Sequence, residues 1–151
     1  MIFIIVLTTL SLDQLTKFLV TKNLLLNQSV PIIKGILYLT LIHNRGAAFG
    51  ILKNQVTLFI LTSVFAITLI YFNLKNPQHR KPSLYGISLS FILAGALGNL
   101  IDRVFLGYVV DFLDFRIWPV FNIADSAITV GAILLAWSML RSTDNRVQRT
   151  E

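Results

Sequence analysis

Apolar residues run through this chain in four long blocks, and the polar residues gather between them. Blocks 56–74 and 83–101 each hold nineteen residues without a charge. At 1.5 Å per residue, each makes about 28 Å of helix, close to the thickness of a bilayer core. The first block, 1 to about 20, has only Asp13 and Lys17 as charges, and the last, 121–140, has only Asp125. The pattern predicts four transmembrane helices. The first block lacks the basic start and small-residue cleavage site of a secretory signal, so it is expected to remain as a span. Asp13 and Lys17 stand four apart, which puts them on one helical face where they can pair.

The segments between the blocks read differently. Residues 21–55 include VPIIKGILYLTLIHN, broken by Pro31 and Gly35 and rich in β-branched and aromatic residues, which predicts short strands. NRGAAFG follows at 44–50, a small-residue stretch that allows close backbone approach. Residues 141–151 carry Arg141, Arg146 and Arg149 and read as a disordered basic tail. The predicted fold is mainly α and integral to the membrane. It is one domain, a four-transmembrane-helix bundle with a small extracytoplasmic β-rich segment.

Composition agrees. The chain is 55% hydrophobic and 13% charged, with mean hydropathy +0.73, whereas soluble domains carry about 25% charged residues. With no cysteine, disulfides and thiolate chemistry are excluded, and the two histidines, His43 and His79, are too few for a His-based metal site. No metal or cofactor is expected. The net charge of +6 does not gather into a nucleic-acid patch. The short 75–82 connection holds Lys75, Arg80 and Lys81 without an acid, and the tail is mostly basic. By the positive-inside rule both are cytoplasmic, and so are both termini. Lys22, Lys34, Arg45 and Lys53 oppose this orientation, but they are spread through a longer segment. Residues 21–55 and the loop after the third span then lie outside together.

Four of the seven acids, Asp102, Asp111, Asp114 and Asp125, fall between 99 and 125. Carboxylates at a bilayer edge are costly and need a reason to be there. There is no GxSxG elbow for serine catalysis and no HExxH for zinc. Paired aspartates remain. Two carboxylates sharing one proton can activate water and protonate a leaving amine, which suits amide hydrolysis without a cofactor.

Five motifs stand in order on the four-span frame: DQLTK (13–17), NRGAAFG (44–50), GALGNLIDR (95–103), GYVVDF (107–112) and FNIADSAI (121–128). Together the sequence resembles lipoprotein signal peptidase, the bacterial signal peptidase II family, over almost its whole length. The resemblance implies an endopeptidase of the bacterial cytoplasmic membrane. Such an enzyme removes signal peptides from diacylglyceryl-modified prolipoproteins at the outer face, just before the lipidated cysteine. It implies Asp111 and Asp125 as the catalytic dyad. Asn99, Arg103 and Asn122 match positions that hold substrate or orient the dyad, and Asn44 matches one that contacts substrate. Val109 is placed beside Asp111. Asp102 is the rival for a direct role, but is expected to pair with Arg103 or Lys17 as scaffold, with Asp13 and Lys17 in support. Asp114 is expected to be a solvated rim charge and His43 a surface residue. Tyr38, Phe49, Phe112 and Trp118 are candidate covers over the scissile bond. Two departures stand out: Ala94-Gly95 where the family often has two glycines, and a link of only fourteen positions from Asp111 to Asp125.

Expected partners are prolipoprotein and membrane lipid, with the chain acting as a monomer. The rival class is a small four-span cation- or proton-coupled transporter, which would need an essential acid deep within a span.

Overall fold

The computed structural model describes residues 2–46, 54–75 and 83–147. Four helices form the bundle: α1 (Ile2–Asn23), α2 (Val56–Lys75), α3 (Leu84–Leu106) and α4 (Ile123–Val147). All four are long and apolar enough to span a membrane. Each runs past the expected bounds. α3 continues five residues beyond 101, so Asp102 and Arg103 lie on its last turns. α4 continues through Val147, so residues 141–147 are helical where the sequence pattern suggested a disordered tail. Phe49, the rest of 47–53, the 76–82 connection and the end of the tail lie outside the described residues.

α1 is polar inside and apolar outside. Asp13, Lys17 and Val20 are its buried residues, while Phe3, Leu7, Leu15 and Phe18 are exposed. That inversion suits a helix whose surroundings are lipid and whose polar groups must find partners within the protein. α2 has no buried residue and lies at the periphery against α3. α3 is the hub, packing on the other three helices. Its small residues make this possible: a Cβ on Gly95 would meet the Ala124 carbonyl, and one on Gly98 would meet the Asp13 carboxylate. Gly131 of α4 packs as closely, since a Cβ there would lie 2.7 Å from both Ile92 and the Ser88 carbonyl. Close backbone approach of this kind is how helices associate where no hydrophobic drive separates them from lipid.

Ser83 caps α3, its hydroxyl accepting from the Gly86 N–H at 3.1 Å. Gly107, at φ 78°, ends the helix in the left-handed region, its N–H donating to the Arg103 carbonyl. The chain thus turns from helix to strand within two residues. Strands β1 (Ser29–Ile33), β2 (Leu37–Asn44) and β3 (Val109–Asp114) form an antiparallel sheet in that order. β2 carries one extra residue between Leu39 and Ile42, a bulge opposite Phe112. One sheet face packs on the C-terminal end of α1 through Leu41, Val110, Phe112 and Val20. Phe112 is therefore a core residue, 3% exposed, not a cover over a site. In strand geometry Val110 and Phe112 point to this core while Asp111 points to the other face.

Beyond β3 the chain folds back. Phe121 pairs with Leu113, its carbonyl accepting from the N–H groups of Phe112 (3.0 Å) and Leu113 (2.7 Å). This return places the start of α4 beside β3.

Candidate active site

The return at Phe121 brings Asn122 alongside Asp111, and Asn122 caps α4. Its Oδ1 accepts from the Asp125 N–H at 2.9 Å, while Asp125 Oδ2 accepts from the Asn122 N–H at 3.3 Å. This reciprocal box turns the Asp125 carboxylate back toward the sheet. Asp111 is 1% exposed on β3. Fourteen positions apart in sequence, the two carboxylates come near each other at the junction of sheet and bundle. Asp125 is close enough for its charge to bear on Asp111.

Three asparagine amides serve this pair. Asn122 Nδ2 donates to Asp111 Oδ1 at 2.7 Å, Asn44 Nδ2 to Asp111 Oδ2 at 2.8 Å, and Asn99 Nδ2 to Asp125 Oδ1 at 2.8 Å. With the Asn122 N–H on Asp125 Oδ2, every carboxylate oxygen of the pair has a donor. Each amide is also oriented, because its oxygen accepts from a group that can only donate. For Asn44 that group is the Gly46 N–H at 2.9 Å, for Asn122 the Asp125 N–H, and for Asn99 the Lys17 ammonium at 3.1 Å.

Burial holds the Asp111 carboxyl well above the ordinary carboxylate range, at about 7, with the Asp125 charge adding to the rise. The Asn44 and Asn122 amides and the Lys17 charge pull the other way without cancelling it.

Asp102 stands apart from the pair. It forms an ion pair with Lys17 (2.9 Å) and accepts the Val110 N–H at 3.0 Å. Of the two partners expected for it, Lys17 is the one found. Asp13 pairs with Lys17 as well, at 2.9 Å. Arg103 instead lies with its guanidinium 5.0 Å from the Phe59 ring centroid, within electrostatic reach of Asp102, Asp111 and Asp125. Val109 is buried on the same strand face as Asp111.

Asp114 is not a solvated rim charge. It is buried, accepts from Thr40 Oγ1 (2.7 Å) and the Arg116 N–H (2.8 Å), and lies 3.5 Å from Arg116 Nε. Arg116 in turn stacks 3.9 Å over Tyr38 of the central strand β2, so this candidate cover is held against Arg116. His43 is half-buried against Tyr108, ring centroids 3.9 Å apart, because its strand position faces the core rather than solvent. Burial, with the Arg45 charge, lowers its pKa. Trp118 is exposed and, with Phe115, Ile117, Phe121, Thr129 and Val130, lines a cavity of about 500 Å³ that reaches Asp125.

Gln14, Thr40 and Arg116 escaped sequence reasoning. Gln14 Nε2 bridges Asp13 Oδ2 and Asp102 Oδ1, both at 3.1 Å. Its signal was available, since an amide beside Asp13 inside an apolar block needs a partner. Thr40 and Arg116 left no comparable trace. Among the described residues no group of acids and histidines is arranged to hold a metal.

The fold is that of a polytopic membrane protein, and the comparisons with known proteins say which kind. Residues 5–141 match the family model for signal peptidase (SPase) II. A lipoprotein signal peptidase of Caldanaerobacter subterraneus is 52% identical, the match covering 93% of this chain and 96% of that protein. One from Halothermothrix orenii is 50% identical over 89% of this chain and 92% of its own length. A solved bacterial membrane enzyme superposes with a TM-score of 0.87 at 36% identity, covering 95% of this chain and 90% of that one. The chain belongs to the signal peptidase II family.

Proposed function

We propose that this chain is an aspartic endopeptidase that removes signal peptides from diacylglyceryl-modified prolipoproteins, cutting just before the lipidated cysteine. The observation that carries the reading is the Asp111–Asp125 pair, with amide or backbone donors on all four of its oxygens. Family membership and the names of the relatives supply the substrate class.

The pair shares one proton, which the burial of Asp111 favours. The ionised carboxylate takes a proton from water as the water oxygen attacks the scissile carbonyl carbon. The other carboxyl then protonates the leaving nitrogen as the C–N bond breaks. The products are a new carboxylate on the signal peptide and a free amine on the lipidated cysteine. Arg103 stands near the developing negative charge. Asn44, on the sheet, and Asn99, on the bundle, flank the space where an extended peptide would lie.

Asp102 has no place in this chemistry. Its contacts are with Lys17, Gln14 and a strand N–H, so it acts as scaffold. The test is cleavage of a diacylated prolipoprotein peptide by purified protein. D111N and D125N should each lose at least about 1,000-fold in turnover, since neither can complete the proton cycle. Near-normal turnover by either would sink the dyad, and a severe defect confined to D102N would move the chemistry there.

A further inference from the structure

Lys17 is buried, 3% exposed, on a helix that contributes no carboxylate to the pair. Its ammonium touches Asp13 Oδ2, Asp102 Oδ2 and Asn99 Oδ1 at 2.9, 2.9 and 3.1 Å. The two acids it joins reach further. Asp13 Oδ1 accepts the N–H of Ala124 at 2.8 Å, and Asp102 Oδ2 accepts the N–H of Val110 at 3.0 Å. Ala124 immediately precedes Asp125, and Val110 immediately precedes Asp111.

We propose that Lys17 is a positioning residue for the reaction: the Asp13–Lys17–Asp102 triad sets the spacing of the two dyad carboxylates and, with the Asn122 amide, orients the Asn99 amide toward Asp125. The inference rests on the dyad reading above.

The geometry carries it in two ways. First, a rigid triad grips the backbone beside both dyad residues, one in the sheet and one in the bundle, so the relative placement of Asp111 and Asp125 runs through it. Gln14 stiffens the grip by donating to both acids and, at 3.3 Å, to the Gly98 carbonyl. Second, Asn44 and Asn122 have their oxygens pinned by backbone N–H groups. Asn99 has no backbone pin. A flipped Asn99 would set its NH₂ against the Lys17 ammonium and its oxygen against the Asp125 carboxylate, two repulsive contacts. Lys17 and the Asn122 amide, each donating to Asn99 Oδ1 at 3.1 Å, together require that Asn99 donates to Asp125.

Stability alone does not account for such a triad. Replacing a buried ion pair or triad with apolar or neutral groups of similar shape is often neutral or stabilising. The charged side chains of other elements that act on Asp111 or Asp125 are Lys17 of α1, itself paired with Asp13 and Asp102, and Arg103 of α3. Lys17 is thus the cation on the α1 side of the pair, and its loss would leave two more acids uncompensated.

The test uses the full chain and the diacylated peptide assay, comparing wild type, K17M and the neutral triple variant D13N/K17M/D102N. In K17M, turnover should fall about 100-fold, as expected for misplacement of reacting groups by about 1 Å. KM should stay within about threefold of wild type. The alkaline limb of its pH–rate profile should move to higher pH, because a lost cation makes the shared proton harder to remove. The triple variant leaves no unpaired buried charge and is expected to fold with a melting temperature at or near that of wild type. It should show the same loss of turnover at near-constant KM.

Wild-type turnover in the folded triple variant overturns the proposal. So does a K17M defect confined to KM, or an unmoved alkaline limb in folded K17M. If neither variant folds, the triad is needed for the fold itself and the proposal also falls. Retained turnover in D111N or D125N would instead remove the dyad on which it rests.

Discussion

At the residue scale, the proposed chemistry depends on how Asp111 binds its proton. Its carboxyl lies at about 7 in the folded chain against an ordinary 3.8. The folded state therefore favours the protonated form. The stability this gives is complete below about pH 4 and is lost as the pH rises through about 7. Full ionisation corresponds to about 4 kcal/mol at most. Thermal unfolding of wild type in detergent should decline between about pH 4 and pH 8, and D111N should lack that part of the decline. Parallel wild-type and D111N curves would show that Asp111 titrates no differently in the folded chain. In the proposed reaction the same proton would set the alkaline limb of turnover. Above about pH 7 the pair loses its acid, so the rate of peptide cleavage should fall there and rise again on return to lower pH. Asp111, Asp125 and Asn44 could be placed in the site from their motifs. The roles of Asp114 and His43 could not, because an acid in an extended stretch looks the same buried or solvated until its neighbours across the sheet are known.

At the scale of elements, the narrow point is where α3, α1 and α4 cross. Gly98 faces the Asp13 carboxylate there, and a methyl group would also come within 3.3 Å of the Ala124 side chain. G98A should therefore destabilise the protein by about 1–3 kcal/mol, the range for overpacking. It should also lower turnover, because Asp13 would be pushed off the Ala124 N–H. Thermal unfolding and the cleavage assay measure the two effects. G107A provides the contrast: its φ of 78° strains any side chain, yet nothing lies within 4 Å. It should cost about 1 kcal/mol and leave turnover nearly intact. Apolar blocks announced the helices, but the true end of α3 lay five residues past its uncharged run. Asp102 and Arg103 both lie on that extension, and Asp102 finds a buried partner, Lys17, on α1.

At the scale of the whole molecule, the arrangement is a bundle with a sheet laid across one end. α1, α3 and α4 share a polar seam that runs into the sheet, and α2 stands outside it. The seam reaches the sheet at the end where α1 finishes and α4 begins, so the candidate site lies toward one membrane face rather than at mid-depth. That placement weighs against a transporter whose acids would sit deep in the spans. We propose that this face is the outer one, from the basic character of the 75–82 connection. A fluorescent reporter fused at Gln78 should light up in the cytoplasm, and a phosphatase fused there should be inactive. The opposite pair of results would invert the topology.

The linear chain by itself determined the number of spans and the existence of a short β segment, and it nominated the proposed catalytic pair. Each of these is a local property: a run of apolar residues, a change of periodicity, or a motif whose residues are adjacent. Tertiary structure alone decided who partners whom. Lys17 bonds with Asp102 across 85 positions only because Gly98 lets α1 and α3 touch. Asp13 grips the Ala124 N–H across 111 positions because α4 starts beside α1. A buried polar group in a membrane must find its donors and acceptors within the protein. Which ones it finds depends on helix crossings and on one strand reversal, and no stretch of sequence states either.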